Sequence, residues 1–180
     1  MERTWSCFDC QFDSAEPLCF TEDGAFAPTR LARVLLKITM PGGAAEDRGD
    51  RMRAYDCVDE LMQAAPDEAV TFLLAALEEC KTPDHVALLG AGALETLLKA
   101  HGPRVIGALE RAAERQAKVR YLLSSTWGEP NIAPTVWRRI IAAIACGPVM
   151  DADPRTPASG MVDKVLAADA VARLLTTPMT

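Results

Sequence analysis

The chain has 180 residues, of which 49% are hydrophobic and 24% charged, and its formal net charge is −6. This length and composition predict one globular domain with its own core and exclude a disordered chain. No stretch reaches the ~20 apolar residues that a membrane-spanning helix needs. The first residues lack the basic segment and apolar run of a signal peptide. We therefore expect a cytoplasmic protein.

The acidic balance argues against nucleic-acid binding, which requires a cationic surface, and favours a basic protein as partner. Arginine outnumbers lysine by 14 to 5, a bias that suggests a GC-rich bacterial genome. Without a secretory context, we expect the six cysteines to be reduced. Three of them lie within helical patterns and are interpreted as small core residues: Cys57, Cys80 and Cys146.

Residues 1–27 differ from the rest of the chain. They contain five of the ten aromatic residues, and one arginine against six acidic residues. Their apolar residues follow no regular period. We interpret 1–27 as an acidic, aromatic arm and 28–180 as a single helical domain.

From Pro28 onward, apolar residues recur at spacings of three and four between prolines and glycines, which predicts about seven to eight helices. The inward positions of the first two helices are Leu31, Val34, Leu35 and Ile38, then Tyr55, Val58, Leu61 and Met62. Pro41-Gly42-Gly43 ends the first helix, and a mobile, charged linker covers residues 44–50. Pro66 marks the next boundary.

The central region is the most regular. Thr82-Pro83-Asp84 is typical of a helix start, with a threonine cap, a proline and an acid in the first turn. The inward residues on either side of it are Val70, Leu73, Leu74 and Leu77, then Val86, Leu89, Ala93, Leu94, Leu97 and Leu98. This long helix is predicted to stop at His101-Gly102, with Gly102 as its C-terminal cap.

Pro103 begins a further helix, and a short one follows around residues 119–125. Pro134 opens another, closed by Gly147-Pro148, whose inward residues are Val136, Ile140, Ile141 and Ile144. Residues 160–175 are apolar around most of a helical circumference, which predicts a last helix buried between the others. No alternating pattern indicates a strand. The fold class is therefore all-α, either stacked HEAT-like hairpins, favoured by a faint echo at about 35 residues, or an irregular bundle.

The arm holds the one metal-like pattern of the chain, Cys7, Cys10 and Cys19. Zinc takes four thiolate or imidazole ligands, and this pattern supplies only part of that set. A zinc-stabilised arm is one interpretation; the simpler one is an aromatic arm docked on the body.

Gly90 and Gly92 lie within a helical pattern, where each costs about 1 kcal/mol relative to alanine. Close approach of a neighbouring helix would explain them; the alternative is backbone exposed to a ligand or partner. A dinucleotide site would need a preceding strand and a third glycine. The two histidines lie about 24 Å apart along one helix, so they cannot share a site. We therefore predict that the protein is not an enzyme and has no catalytic residues.

Four basic residues share helical spacing and are interpreted as solvated surface or a docking stripe: Arg104, Arg111, Arg115 and Lys118. Aromatic residues beside arginine are typical anchors of protein interfaces. Trp127 and Trp137, the latter followed by Arg138 and Arg139, are therefore candidate partner-binding residues, unless both indoles are core. In the arm, the candidates are Trp5, Phe8, Asp9, Phe12 and Asp13.

The segment Leu-Gly-Ala-Gly-Ala-Leu-Glu-Thr-Leu-Leu-Lys-Ala-His-Gly, residues 89–102, resembles a helix of an uncharacterised family of small bacterial helical proteins. The likeness continues through Val105-Ile106 and Glu110 to the Trp127 turn, about a third of the chain. It does not include the cysteine-bearing arm. The resemblance implies no activity, because the family has none established.

These features favour a non-enzymatic bacterial protein that binds another protein, as an immunity or antitoxin-like neutraliser does. The acidic, aromatic arm could imitate nucleic acid in front of a basic toxin. The alternative is a helical scaffold or regulatory subunit, with zinc bound by Cys7, Cys10 and Cys19.

Overall fold

A computed structural model describes residues 18–37, 47–150 and 153–179 of the chain. Several predicted features lie outside these residues: Trp5, Cys7, Phe8, Asp9, Cys10, Phe12, Asp13, Ile38 and the Pro41-Gly42-Gly43 stop. The described residues form helices joined by turns, with two isolated β-bridges and no extended strand. The prediction of an all-α fold is confirmed, while HEAT-like stacking stays a prediction.

The helices follow one another closely along the chain. In chain order they are α1 (Pro28–Leu36), α2 (Asp47–Ala64), α3 (Pro66–Glu79), α4 (Pro83–Leu88), α5 (Glu95–Arg115), α6 (Ala117–Ser124), α7 (Pro134–Ile144) and α8 (Ala168–Thr176). A π-helical turn, Leu89–Leu94, connects α4 to α5 without a break. Short 3₁₀ turns span Glu129–Asn131 and Val162–Lys164.

Proline sets the start of four of these helices, because its missing N–H costs nothing at the first helical position. Pro28, Pro66, Pro83 and Pro134 are each the first residue of their helix. Before Pro83, the hydroxyl of Thr82 accepts the backbone N–H of His85 at 3.3 Å. These predicted starts are confirmed.

The predicted stop at His101-Gly102 is a kink inside α5. Only His101 leaves helical geometry, at φ −134° and ψ 16°, and the helix resumes through Pro103. Proline lacks an N–H and crowds the preceding turn, which accounts for the bend. The prediction that Gly102 is the C-terminal cap is wrong, since the helix continues past it to Arg115 and its φ is not positive. Gly102 is buried, and a β-carbon there would lie 3.1 Å from the side chain of Val136 on α7.

Helix α5 lies at the centre of the packing, since it contacts α2, α3, α6 and α7. The π-helical turn contacts α2, α3, α4 and α6. The largest fully buried side chains include Phe72, Leu73 and Leu77 of α3 and Leu97, Ile106 and Leu109 of α5. The apolar stripes predicted for the central helices therefore form the core.

Five predictions about exposure or extent are wrong. Tyr55, Ile141 and Cys146 are exposed, although their helical spacing predicted inward positions. Helix α2 begins at Asp47, so the last four residues of the predicted linker are helical. The segment after residue 160 is a 3₁₀ turn followed by α8, whose buried residues are Val171 and Leu175. This last helix lies on the surface because it contacts the body along one face only.

The end of the predicted arm belongs to the core. Cys19 and Phe20 are buried, and the Phe20 ring packs against that of Phe26 with centroids 6.2 Å apart. The guanidinium of Arg30 on α1 donates to the carbonyl of Leu18 at 3.3 Å and to that of Phe20. Within the described part of the chain, none of the helices is both long enough and apolar enough to cross a bilayer.

Candidate protein-binding surface

A small cleft of about 30 Å³ lies where α1, α2 and the π-helical turn meet. Its lining residues are Leu35, Tyr55, Val58, Asp59, Leu88, Gly92, Ala93 and Thr96. Those that are buried, Leu35 and Val58, are apolar, whereas Tyr55 and Asp59 are exposed. The cleft therefore combines an apolar interior with a polar, acidic rim.

The two glycines of the π-helical turn have different roles. A β-carbon on Gly90 would lie 1.8 Å from the hydroxyl oxygen of Ser125 and 2.9 Å from its β-carbon. Gly90 is thus required by the close approach of the residue that follows α6, as predicted. A β-carbon on Gly92 would meet no atom within 4 Å, and Gly92 lines the cleft. Gly92 fits the alternative explanation, backbone left open to a ligand or partner.

The cleft adjoins an exposed apolar face of α2. Met52 is 58% exposed and Tyr55 is 46% exposed, and the two residues are one helical turn apart. Asp59 follows Tyr55 after another turn and accepts a hydrogen bond from the Gln63 amide at 2.7 Å. Large exposed apolar side chains beside a concavity are a common mark of protein interaction sites.

A second exposed aromatic side chain, Trp127, lies in the turn after α6. It is 43% exposed, and the guanidinium carbon of Arg155 lies 4.2 Å from the centre of its ring. Asp153 accepts two hydrogen bonds from Arg155, at 2.8 and 2.7 Å. These bonds lower the pKa of Asp153 to about 2. The indole is therefore held against a cation that is itself fixed by a bidentate ion pair.

The turn that carries Trp127 packs against α5 close to the cleft. A β-carbon on Gly128 would lie 2.6 Å from a carboxylate oxygen of Glu95. Glu95 forms an ion pair with Lys99 at 2.7 Å, and its chain neighbour Thr96 lines the cleft. The Trp127 turn and the cleft thus meet adjacent residues of the first turn of α5.

Trp137 and Arg138 do not join this surface as anchors. Trp137 is 5% exposed and belongs to the core, so the prediction of an exposed indole is wrong. The side chain of Arg138 is exposed and donates to the Pro134 carbonyl of its own helix at 3.4 Å. The arginines that follow Trp137 suggested an exposed anchor, but they lie on the solvent side of α7 while the indole faces the core. Arg155, the residue that stacks on Trp127, carried no signal because it lies 28 positions away.

The predicted row of basic residues is interrupted. Helix α5 ends at Arg115, and Lys118 lies on α6 with its side chain buried. Arg104 forms an exposed ion pair with Asp67 at 2.6 Å, which is a solvated surface contact. Arg111 and Arg115 are exposed on α5. The docking stripe is thus reduced to isolated charges.

The cysteines occupy contrasting surroundings. Cys19, Cys57 and Cys80 are buried, and burial raises the pKa of the Cys80 thiol to about 12. Cys146 is exposed at the end of α7, so its prediction as a core residue is wrong. Residues 18–37, 47–150 and 153–179 contain no cluster of three or more side chains suited to a metal ion. Because Cys7 and Cys10 lie outside these ranges, the zinc pattern stays a prediction.

Cys146 borders a second cleft of about 430 Å³, between α5 and α7. Arg120 is the cation that lines this cleft. Its guanidinium donates to the backbone carbonyls of Gly147 and Ala113 and so stabilises the fold. Two acids, Glu110 and Glu114, also line the cleft. Glu110 accepts two hydrogen bonds from Arg139, one of them at 2.7 Å, and these lower the pKa of Glu110. This arrangement supports the packing of α7 on α5.

Comparison with known proteins identifies a family and nothing more specific. Residues 45–147, more than half of the chain, match a family described as "Family of unknown function (DUF6869)". The segment on which the resemblance to an uncharacterised family rests, residues 89–127, lies inside the matched range. No curated protein and no solved structure shows a significant match to the chain. The matched range includes the π-helical turn and Trp127.

Proposed function

Because the chain belongs to this DUF6869 family of unknown function, no activity accompanies the relationship, and we propose that the protein is a non-enzymatic protein-binding module. In this proposal it neutralises a basic partner protein in the manner of a bacterial immunity protein or antitoxin. The partner binds directly, without nucleic acid, membrane or cofactor.

The observation that carries the proposal is the exposed indole of Trp127, held by Arg155. Tryptophan and arginine are the residues most enriched among those that dominate binding energy at interfaces. Here the stacking of Arg155 and the bidentate contact of Asp153 fix the geometry in advance. A side chain already held in place loses less conformational entropy on binding, which favours affinity.

Charge supports a basic partner. The chain carries −6, and the segment 1–27 contains one arginine against six acidic residues. An excess of one sign steers an oppositely charged partner and raises its association rate. The acidic chain would therefore recruit a basic protein before the apolar anchors engage.

The proposal is tested with proteins captured from the native host under cross-linking. Wild-type chain is compared with Trp127→Ala and with a matched control, Ile141→Ala, which removes another exposed apolar side chain. We expect wild type and control to retain one specific basic protein. The amount captured by Trp127→Ala should be lower by at least about tenfold. Identical capture by all three chains would remove Trp127 as the anchor.

The neutralising role has its own test. The captured partner is expressed alone and together with this chain, and cell growth is measured. Growth arrest by the partner, relieved by wild type and less by Trp127→Ala, is the expected result. A partner that is harmless alone would argue against an immunity role while leaving protein binding intact.

The arm is tested by deleting residues 1–17. The deletion ends there because Cys19 and Phe20 are buried in the core, and their loss would damage the fold. If the arm attracts a basic partner, the deletion slows association and weakens its dependence on salt. Unchanged association kinetics would leave the described surface as the binding site.

The second candidate function, a helical scaffold or regulatory subunit with a zinc-stabilised arm, depends on Cys7, Cys10 and Cys19. Of these, Cys19 is the residue that the structure describes, and its side chain is buried. Metal analysis of the full chain purified without chelator distinguishes this candidate. Less than about 0.1 equivalent of zinc would exclude a metal-stabilised arm.

A further inference from the structure

The cleft beside Gly92 exists because of two local features of the backbone. The π-helical turn Leu89–Leu94 departs from regular α-helical bonding, and such turns often occur at functional sites. Gly92 has no side chain, and nothing lies within 4 Å of the position that its β-carbon would occupy. An alanine would be the better helix former here, so the glycine keeps space open at a cost in stability.

The size of the cleft restricts its occupant. Its volume of about 30 Å³ is room for about two water molecules. Sites for small molecules and cofactors range from about 300 to 1,000 Å³, so this cleft is too small for such a ligand. It can receive only the end of one apolar side chain that a partner places against the surface.

The lining specifies the chemistry of that occupant. Leu35, Val58, Leu88 and Ala93 offer apolar contacts. Tyr55 stands exposed beside them and presents a large amphipathic ring. An aliphatic or aromatic side chain would thus replace water on the apolar wall.

Asp59 adds a charge at the same cleft. Its carboxylate is exposed and accepts a hydrogen bond from the side-chain amide of Gln63 at 2.7 Å. A cation beside the inserted apolar side chain would face this carboxylate. The net charge of −6 also favours a basic partner.

We propose that the cleft formed by Tyr55, Asp59, Gly92 and Thr96 is a docking site for a partner segment that places the end of an apolar side chain in it and an adjacent lysine or arginine against Asp59. This proposal rests on the proposed protein-binding function and names the chemistry of the partner segment. The apolar side chain supplies burial, and the basic residue supplies orientation.

The test uses the ¹⁵N-labelled full chain and three capped peptides, Ala-Leu-Arg, Ala-Leu-Glu and Ala-Ala-Arg. Weak binding is expected, with a dissociation constant of about 1 mM for Ala-Leu-Arg. Amide shifts should map to Gly92, Ala93 and Thr96. Ala-Leu-Glu should bind at least about threefold more weakly because its charge faces Asp59, and Ala-Ala-Arg should produce no mapped shifts.

Two variants separate the apolar from the charged contribution. Gly92→Leu fills the cleft and should abolish the shifts, while Asp59→Asn should remove the preference for arginine over glutamate and retain binding of Ala-Leu-Arg. Circular dichroism checks each variant for folding. Should Gly92→Leu fail to fold, Tyr55→Ala replaces it, because Tyr55 is exposed and its loss should weaken the peptide without unfolding the chain.

Several results would overturn the docking site. They are no mapped shifts at about 10 mM peptide, equal affinity for the arginine and glutamate peptides, or shifts centred elsewhere. Two other results would assign the cleft to a different occupant. A dimer that Gly92→Leu dissociates would assign it to a second copy of the chain, and shifts at Gly92 when residues 1–17 are deleted would assign it to the arm. If Gly92→Leu still captures the host partner in a Trp127-dependent manner, the docking site fails and the proposed function stands. If the peptides bind as expected but no host protein is captured, the proposed function fails alone.

Discussion

The ammonium nitrogen of Lys118 lies 2.9 Å from a carboxylate oxygen of Glu78, with 4% of the lysine side chain exposed against 34% of the glutamate. The other carboxylate oxygen of Glu78 accepts the backbone N–H of Met179. The ion pair therefore links α3 to α6, and Glu78 also contacts the segment after α8 through its hydrogen bond from Met179. Its two members differ in burial, and this difference decides what each mutation does.

Removing the acid should cost more than removing the base. Glu78→Ala leaves the buried ammonium of Lys118 without its partner and should lower the free energy of unfolding by about 2 kcal/mol. Lys118→Met replaces the cation with an apolar chain of similar length and leaves a partly hydrated acid, so the loss should be under about 1 kcal/mol. Urea denaturation measures both.

A matched control lies next to Glu78. Glu79 pairs with Arg33 at 3.0 Å, and 65% of the Arg33 side chain is exposed. Glu79→Ala should change the free energy of unfolding by less than about 1 kcal/mol, since exposed pairs are screened by water. Equal losses for Glu78→Ala and Glu79→Ala would contradict the role assigned to burial.

The two glycines of the π-helical turn should respond oppositely to alanine. Gly90→Ala places a methyl group against Ser125, including its backbone carbonyl carbon at 3.1 Å, and should destabilise by about 1–3 kcal/mol. Gly92→Ala meets no neighbour and should be neutral or stabilising by up to about 1 kcal/mol. Thermal melts of both variants check the difference. A shared sign would show that the turn, and not the contact with Ser125, controls these positions.

The two tryptophans should also differ in how much stability is lost when each is replaced by alanine. Trp137→Ala empties a core position and should cost about 3–5 kcal/mol. Trp127→Ala removes a partly exposed indole and should cost less than about 1 kcal/mol. Guanidinium denaturation gives both values. A large loss with Trp127→Ala would mean that its effect on partner capture reflects folding.

Stability should fall as pH drops below 6.5 because of His85. This side chain is buried, and burial lowers its pKa from the ordinary value of 6.5. Its Nδ1 also accepts the backbone N–H of Lys81 at 3.2 Å, which requires that nitrogen to be unprotonated. The unfolded chain therefore binds more protons between 6.5 and the lower folded pKa, so the free energy of unfolding rises with pH in that window and levels off above it.

The measurement compares urea midpoints at about pH 7.5 and about pH 5.5. Wild type should be less stable at the lower pH, and His85→Gln should lose most of that difference. His101→Gln is the control, since that ring contacts the Gln63 carbonyl near the surface at 2.6 Å. An equally large pH effect in His85→Gln would assign it to other groups.

For the proposed interface, the sequence identified Trp127 as a candidate and offered an open backbone at the glycine pair as an alternative. It missed Tyr55, which its helical spacing assigned to the core, and Asp59, which no motif marked. The cleft joins residues from α1, α2, α4, the π-helical turn and α5. No local pattern reports such a combination, because no element contributes more than three positions.

The sequence by itself determined the all-α class and the helix starts at Pro28, Pro66, Pro83 and Pro134, because proline and capping residues act on their own backbone and need no distant neighbour. Only the tertiary structure decided which of the two tryptophans is buried, which of the two glycines is crowded, and that Lys118 lies inside while Ile141 lies outside. Burial of a residue depends on which residues, distant in the sequence, pack against it. An apolar stripe shows that a helix has a face to cover, but packing determines how much of it is covered.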